Sequence, residues 1–239
     1  MNKNIAIILA GGSGQRMGQD IPKQFLNVEN KPVIIYTLEA FQRHPNIDAI
    51  IVVCIEGWHD ILKAYAKQFG IDKLVAVVNG GVNGQDSIKR GLLKAKELFS
   101  GGDNVIIHDG IRPMISEEII SDNIAKCNLY GNAITVIPCA EAMLLSTEDG
   151  LGAEEEIARN TLKRTQTPQA FRLSEILSAH EEAKEKGITN SIASCTLYTS
   201  LGRKVYYSTG SEKNVKLTTP EDIDIFKALL HTRKEEWMK

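Results

Sequence analysis

The sequence predicts an α/β fold built on a mostly parallel β-sheet flanked by helices, and three observations point to it. The apolar run Ile5 to Ala10 shows no alternation, the pattern of a strand buried on both faces. Further apolar runs at Ala49 to Cys54, Leu74 to Val78 and Asn104 to His108 are separated by stretches with helical spacing, the rhythm of βαβ units with right-handed crossovers. Three of the runs end in polar turns: the one after Ala10, the Gly80-Gly81 turn leading to Ser87, and the His108-Asp109 turn leading to Arg112. In sheets of this kind ligands bind at the carboxyl ends of the strands, so the three turns should face one crevice.

The first turn carries the most chemistry. Ile5 to Ala10 gives way to Gly11-Gly12-Ser13-Gly14, followed by Arg16 and then by Lys23 just after Pro22. Glycines let backbone N–H groups approach an anion closely, so the loop suits phosphate, with Arg16 and Lys23 as charged clamps. It is neither common phosphate loop. The dinucleotide fingerprint needs glycine where Met17 stands, and the P-loop needs Lys and a hydroxyl residue where Gln19 and Asp20 follow Gly18.

After the loop, Lys31 to Arg43 reads as a helix opening beyond the turn Glu29-Asn30, with Pro32 near its start. Ala49 to Cys54 is the second strand and Trp58 to Phe69 the returning helix. Leu74 to Val78 is the third strand, and Gln85 to Leu98 a helix with Asp86 or Ser87 near its amino end. Asn104 to His108 is the fourth strand, before a helix from Ser116 to Tyr130, and Ala133 to Pro138 is the fifth. Residues 139 to 169 break the rhythm: two apolar patches surround the acidic, glycine-bearing turn Glu148-Asp149-Gly150, and a basic return follows. A protruding β-arm fits this better than a helix. Leu173 to Lys186 resumes as helix, Lys204 to Ser208 and Asn214 to Leu217 read as short strands, and Pro220 to Leu230 closes the chain as a helix with Glu221 and Asp222 in its first turn. With no repeat or linker, the 239 residues read as one domain with an arm.

Composition excludes several classes. A net charge of −2 and a sequence pI of about 6.2 provide no basic field for duplex nucleic acid, so any phosphate affinity must be local. Cys54, Cys127, Cys139 and Cys195 show no paired spacing and read as reduced, buried thiols. No apolar run reaches membrane length and the residues before the first strand are too few for a signal peptide, so a soluble, cytoplasmic protein is expected. His108 reads as structural, and the other histidines lack ligand spacing.

The string L-A-G-G-x-G-x-R-M with Pro22-Lys23-Gln24 resembles the signature of nucleotidyltransferases. In order, AGGSGQRM, PKQF, GGVNGQDS, HDGIRP, RNTLKRTQTPQAF and NVKLTTPED resemble the cytidylyltransferases acting on polyol phosphates, over residues 4 to about 230. Two branches are familiar, one acting on 2-C-methyl-D-erythritol 4-phosphate and one on ribitol 5-phosphate. The resemblance implies a Rossmann-like fold of the nucleotidyltransferase type, with the arm clasping a second subunit in a homodimer. Ala10, Gly11, Gly12 and Gly14 would wrap CTP, and Gly81 and Ser87 would contact cytosine and ribose. Arg16 and Lys23 would hold the β- and γ-phosphates and Lys216 the α-phosphate, these three being the implied catalytic residues. Asp109 and Arg112 would sit by the polyol phosphate, and Arg159 and Thr167, both on the arm, would reach it from the partner subunit. Mg²⁺, held mainly by CTP phosphates, is the implied cofactor, with Asp109 its candidate protein ligand.

Several positions depart from the methylerythritol pattern. Gly110-Ile111 replaces Ala-Ala, Glu141-Ala142 replaces Asp-Thr, residues 188–194 differ, and Gly84 stands for a usual Arg. The tail Ser208 to Lys216 looks closer to the ribitol branch. The resemblance therefore implies CMP transfer to ribitol 5-phosphate, with methylerythritol phosphate as the alternative acceptor and a hexose-1-phosphate nucleotidyltransferase as the second alternative. A non-catalytic nucleotide binder would have lost one of Arg16, Lys23, Asp109, Arg112 and Lys216, and all are present.

Overall fold

The computed structural model describes residues 2–12 and 21–232. Strand β1 (Asn4–Ala10) is central. It pairs in parallel with β4 (Ala49–Cys54) on one side and β6 (Asn104–Asp109) on the other, with Ile7 opposite both Ile51 and Ile107. With β5 (Leu74–Asn79), β7 (Asn132–Pro138), β10 (Lys163–Arg172) and β11 (Tyr207–Thr209) these form a seven-stranded sheet of order β11-β7-β10-β6-β1-β4-β5. Chain direction explains the crevice. From β1 the chain moves outward through β4 to β5, then returns past β1 to β6, so the crossovers diverge between β1 and β6.

The uninterrupted apolar runs are explained by burial on both faces. Ala6, Ile8, Ile50, Val52 and Ile106 pack against α1 (Val33–Arg43), α2 (His59–Gln68) and α4 (Glu117–Tyr130) through Leu38, Leu62 and Ile120. Ile5, Ile7, Ile51, Val53, Val105 and Ile107 face the other layer, which is α3 (Gly84–Leu98), α5 (Leu173–Glu185) and α6 (Ser194–Ser200). Each fully buried Ile or Val contributes about 1.5–3 kcal/mol relative to exposure. In mid-α3, a Cβ on Gly91 would meet Ile7 Cγ2 at 2.6 Å and Val53 Cγ2 at 2.9 Å. Glycine there costs about 1 kcal/mol in helix propensity but lets the helix lie flush on the sheet.

Helix ends follow local chemistry. Asn83 caps α3 by accepting from the Asp86 N–H at 2.9 Å, one turn earlier than Asp86 or Ser87 had suggested. Ser116 caps α4, and Gly131, at φ +86°, closes it. In α7 (Pro220–His231), Asp222 accepts from the Thr218 and Thr219 N–H groups.

The structure corrects five expectations. The stretch expected as one helix from Lys31 begins as a hairpin, β2 (Asn27–Val28) and β3 (Lys31–Pro32), because Glu29 and Asn30 both take positive φ; the helix starts at Val33. The arm is shorter than 139–169: its hairpin is β8 (Met143–Ser146) with β9 (Ala153–Ile157), and β10, expected to belong to it, is an antiparallel central strand between β6 and β7. The charged start of β10 hid a buried second half, Gln166 to Phe171. Helix α6 was not anticipated, since its seven residues carry no resolvable period. The late strand is Tyr207–Thr209 rather than Lys204 to Ser208. Asn214 to Leu217 is no strand but a strap lying across the strand ends, fixed by side-chain bonds. All four cysteines are buried and unbridged, and burial pushes the Cys54 thiol up to about 11. Among the described residues no helix is long and apolar enough to cross a membrane.

Candidate active site

The carboxyl ends of β1 and β6 open into a cavity of about 160 Å³, whose lining includes Leu9, Ile88, Asp109, Arg112, Thr167 and Lys216. Its charged centre is Asp109. Arg112 donates through Nε to Asp109 Oδ2 at 3.0 Å, and Lys216 Nζ stands 3.2 Å from the same oxygen. Arg112 also donates through Nη1 to the Asn214 carbonyl at 2.7 Å, which ties the β6 turn to the strap. Burial alone would raise Asp109, but Lys216, Arg112 and His108 together outweigh it and hold the carboxyl below its ordinary value. It is therefore ionised at neutral pH.

Beneath it, His108 is fully buried. Its Nε2 lies 3.3 Å from the Arg112 carbonyl and its Nδ1 3.1 Å from Thr167 Oγ1. Thr167 Oγ1 accepts from the Asp109 N–H at 3.1 Å. One arrangement satisfies all three groups: Nε2–H donates to the carbonyl and the Thr167 hydroxyl donates to Nδ1. Burial pushes His108 down to about 4, against the opposing pull of Asp109, so the ring is neutral and supports the strand end. The structural reading of His108 agrees with this.

The glycine turns lie next in the chain to parts of the cavity lining, Gly11 two residues after Leu9 and the Gly80-Gly81 turn ahead of Ile88. Gly11 and Gly80 cross so closely that a Cβ on either would lie 3.2 Å from the other's Cα. A side chain on either residue would force the other backbone to give way by a few tenths of an ångström, so the close crossing favours glycine at both. Ser87 Oγ accepts from the Gly81 N–H at 2.9 Å, and Leu9 and Ile88, neighbours of Ala10 and Ser87, line the cavity.

Sequence reasoning overlooked Gln24. This buried side chain donates through Nε2 to the carbonyls of Ala10 at 2.7 Å and Gly12 at 3.0 Å, pinning the base of the glycine loop. It was in view within Pro22-Lys23-Gln24, but an uncharged amide attracted no role. Gln166 and Asn214 were also missed. Asn214 Nδ2 donates to the Thr167 carbonyl at 2.8 Å and to Gln166 Oε1 at 3.2 Å, which fixes the strap and so places Lys216.

Of the expected site residues, Asp109, Arg112, Thr167 and Lys216 line one cavity, whereas Ala10 and Ser87 are chain neighbours of its lining residues Leu9 and Ile88, Gly81 is bonded to Ser87, and Gly11 lies against Gly80. Gly12 accepts from Gln24, and Lys23 opens the 3₁₀ turn Lys23–Phe25. Gly14 and Arg16 lie outside the described residues. Thr167 is not on the arm but in β10, bonded within its own chain. Arg159 sits in the 3₁₀ turn Arg159–Thr161 at the arm's base, exposed, its Nη1 donating to the Ala140 carbonyl, and is not part of this cavity. Among the described residues no three His, Cys, Asp or Glu side chains form a metal cluster. Among the described residues that line the cavity a divalent ion would find one carboxylate, Asp109, and would depend on ligand phosphates for further oxygens.

A family model described as 2-C-methyl-D-erythritol 4-phosphate cytidylyltransferase (IspD) matches residues 4–232. The chain is 44% identical over 231 residues to a ribitol-5-phosphate cytidylyltransferase of Lacticaseibacillus paracasei, covering 96% of this chain and 98% of that one. It is 36% identical over 242 residues to a 2-C-methyl-D-erythritol 4-phosphate cytidylyltransferase of Clostridium novyi, covering 98% and 99%. The crystal structure of 4-diphosphocytidyl-2C-methyl-D-erythritol synthase from Anaerococcus prevotii is similar to it with a TM-score of 0.82 at 27% identity, covering 97% and 99%.

Proposed function

The chain belongs to the 2-C-methyl-D-erythritol 4-phosphate cytidylyltransferase family, and on that premise we propose that it transfers CMP from CTP to ribitol 5-phosphate, releasing pyrophosphate and CDP-ribitol. The observation that carries the reading is the convergence of Arg112 and Lys216 on Asp109 in a cavity at the carboxyl ends of β1 and β6. Identity favours ribitol 5-phosphate over methylerythritol phosphate, 44% against 36%, and the altered residues Gly110, Ile111 and Ala142 belong to the acceptor side in this reading.

A phosphate oxygen of the acceptor attacks the α-phosphorus of CTP in line. The new P–O bond forms as the bond to the β-phosphate oxygen breaks, and pyrophosphate carries away the electron pair. A phosphate monoester dianion is already a nucleophile, so no general base is needed and His108 takes no proton. Two polyanions must meet, and catalysis is positioning plus charge neutralisation. Lys216 holds the α-phosphate, Arg16 and Lys23 the β- and γ-phosphates, and Arg112 with Asp109 the acceptor end. Gly11, Gly12 and Gly14 present backbone N–H groups to the triphosphate, while Gly81 and Ser87 close a pocket of pyrimidine size. Mg²⁺, carried mainly by CTP with Asp109 as its candidate protein ligand, would add charge neutralisation at the phosphates.

The whole chain serves as one catalytic unit in the cytoplasm, paired as a homodimer through the arm. Leu144 and Leu145 in β8 and Leu151 at the hairpin tip are exposed, which suits a surface that another subunit covers. Arg159 at the arm's base then reaches the acceptor phosphate of the partner's site. The test is purified protein with CTP, Mg²⁺ and ribitol 5-phosphate, the product identified by mass. CDP-ribitol is expected, and its absence alongside turnover of another nucleotide or of a hexose 1-phosphate would refute the reading.

A further inference from the structure

Helix α3 begins beside the glycine turn, yet its first residues reach away from it to residues 188–193, the segment between α5 and α6. Gln85 donates through Nε2 to the Ile188 carbonyl at 2.8 Å, and its Oε1 accepts from the Ser191 N–H at 2.7 Å. Asn83 Nδ2 adds a bond to the Thr189 carbonyl at 3.0 Å. One amide thus fixes both ends of a four-residue stretch that has no helix or strand of its own. The stretch leads into Ile192, Ala193 and Ser194, which line the Asp109 cavity together with Arg112 and Lys216. Ser194, one of these lining residues, has a buried Oγ with no hydrogen-bond partner among the described residues. A buried hydroxyl without a partner costs about 1–3 kcal/mol, a cost that a hydroxylated ligand in the cavity would remove.

We propose that Gln85 is a positioning residue for the acceptor: it clasps residues 188–191 so that Ser194 Oγ is presented to a hydroxyl of the polyol chain. The inference rests on the cytidylyl-transfer reading and deepens it. Gln85 stands on the element that carries Ser87, the residue proposed to contact the nucleotide, yet its own bonds are to residues 188 and 191. The two roles separate kinetically, because a clasp on the acceptor wall alters acceptor binding without altering the loop that holds CTP.

The experiment measures KM for CTP and for ribitol 5-phosphate in the wild type, Gln85→Ala and Ser194→Ala, with melting temperatures recorded for each. Loss of a hydrogen bond formed with the ligand corresponds to about a tenfold change. KM for the acceptor is expected to rise about tenfold in both variants, with KM for CTP moving less than about twofold. Gln85→Glu keeps the bond from the Ser191 N–H and loses the one to the Ile188 carbonyl, so its acceptor KM should fall between those of wild type and Gln85→Ala. That isosteric variant carries the test if Gln85→Ala does not fold. Equal rises in both KM values, or an unmoved acceptor KM in a folded variant, would overturn the clasp while leaving the reaction intact. A wild type that turns over no polyol phosphate would overturn the reaction and the clasp together.

Discussion

Lys216 Nζ stands 3.2 Å from Asp109 Oδ2, across more than a hundred residues of chain, on the oxygen that Arg112 also holds at 3.0 Å. Without substrate the two cations share one carboxylate, which leaves a net positive charge in the cavity. Lys216 is 43% exposed, so the pair adds under about 1 kcal/mol to stability and is available to a competing phosphate. Lys216→Ala should therefore lower kcat by about 10²–10³-fold, the scale of losing one transition-state charge contact, with a nearly unchanged melting temperature. Steady-state kinetics beside thermal unfolding checks this, and near-normal turnover would remove Lys216 from the mechanism. Lys23→Ala should behave alike.

Gln24 predicts a different pattern. It holds the Ala10 and Gly12 carbonyls from a buried position, and its loss strips the Gly12 carbonyl of this bond and leaves the Ala10 carbonyl with only the Ile55 N–H at 3.0 Å. Gln24→Ala should cost about 1–3 kcal/mol in denaturant unfolding and raise KM for CTP more than KM for the acceptor. Gln24→Glu, which aims an acceptor at two carbonyls, should do no better; restored CTP affinity in that variant would contradict the pin.

The buried imidazole gives a pH signature. His108 titrates near 4 in the fold against an ordinary 6.5, so between those values the unfolded chain binds a proton that the native state does not. The native state loses stability as pH falls through that window and keeps its full value above it, a swing of about 3 kcal/mol. His180, also pushed down to about 4 by burial, adds in the same direction. Urea unfolding of His108→Gln from pH 4.5 to 7.5 should show a shallower slope than wild type by up to one proton, with the His180 part retained. Parallel profiles would place the proton uptake elsewhere.

The exposed hairpin predicts assembly. Leu144, on β8, is exposed to solvent. Leu144→Asp should convert a dimer to a monomer in light scattering and lower activity, because Arg159 would no longer reach a partner's site. A wild type that is already monomeric and fully active would remove the arm from catalysis.

The parallel sheet was legible because Ile5 to Ala10, Ala49 to Cys54 and Asn104 to His108 are apolar on both faces, and only a doubly covered strand needs that. β10 was not, because Lys163 to Thr165 look like arm while Gln166 to Phe171 are buried: the strand changes environment midway. Asp109, Arg112 and Lys216 were named through the resemblance, and they do meet in one cavity. The residues that place them were given no role. Gln24, Gln85 and Asn214 are neutral amides whose roles are backbone contacts, and those contacts exist only once distant segments are folded together.

Acceptor identity is tested most directly by competition: the protein with CTP, Mg²⁺ and equal, subsaturating concentrations of ribitol 5-phosphate and 2-C-methyl-D-erythritol 4-phosphate, the two products counted by mass in the initial phase. The account predicts that CDP-ribitol predominates by at least about tenfold, the effect of one well-placed hydrogen bond. A predominance of the methylerythritol product would contradict it.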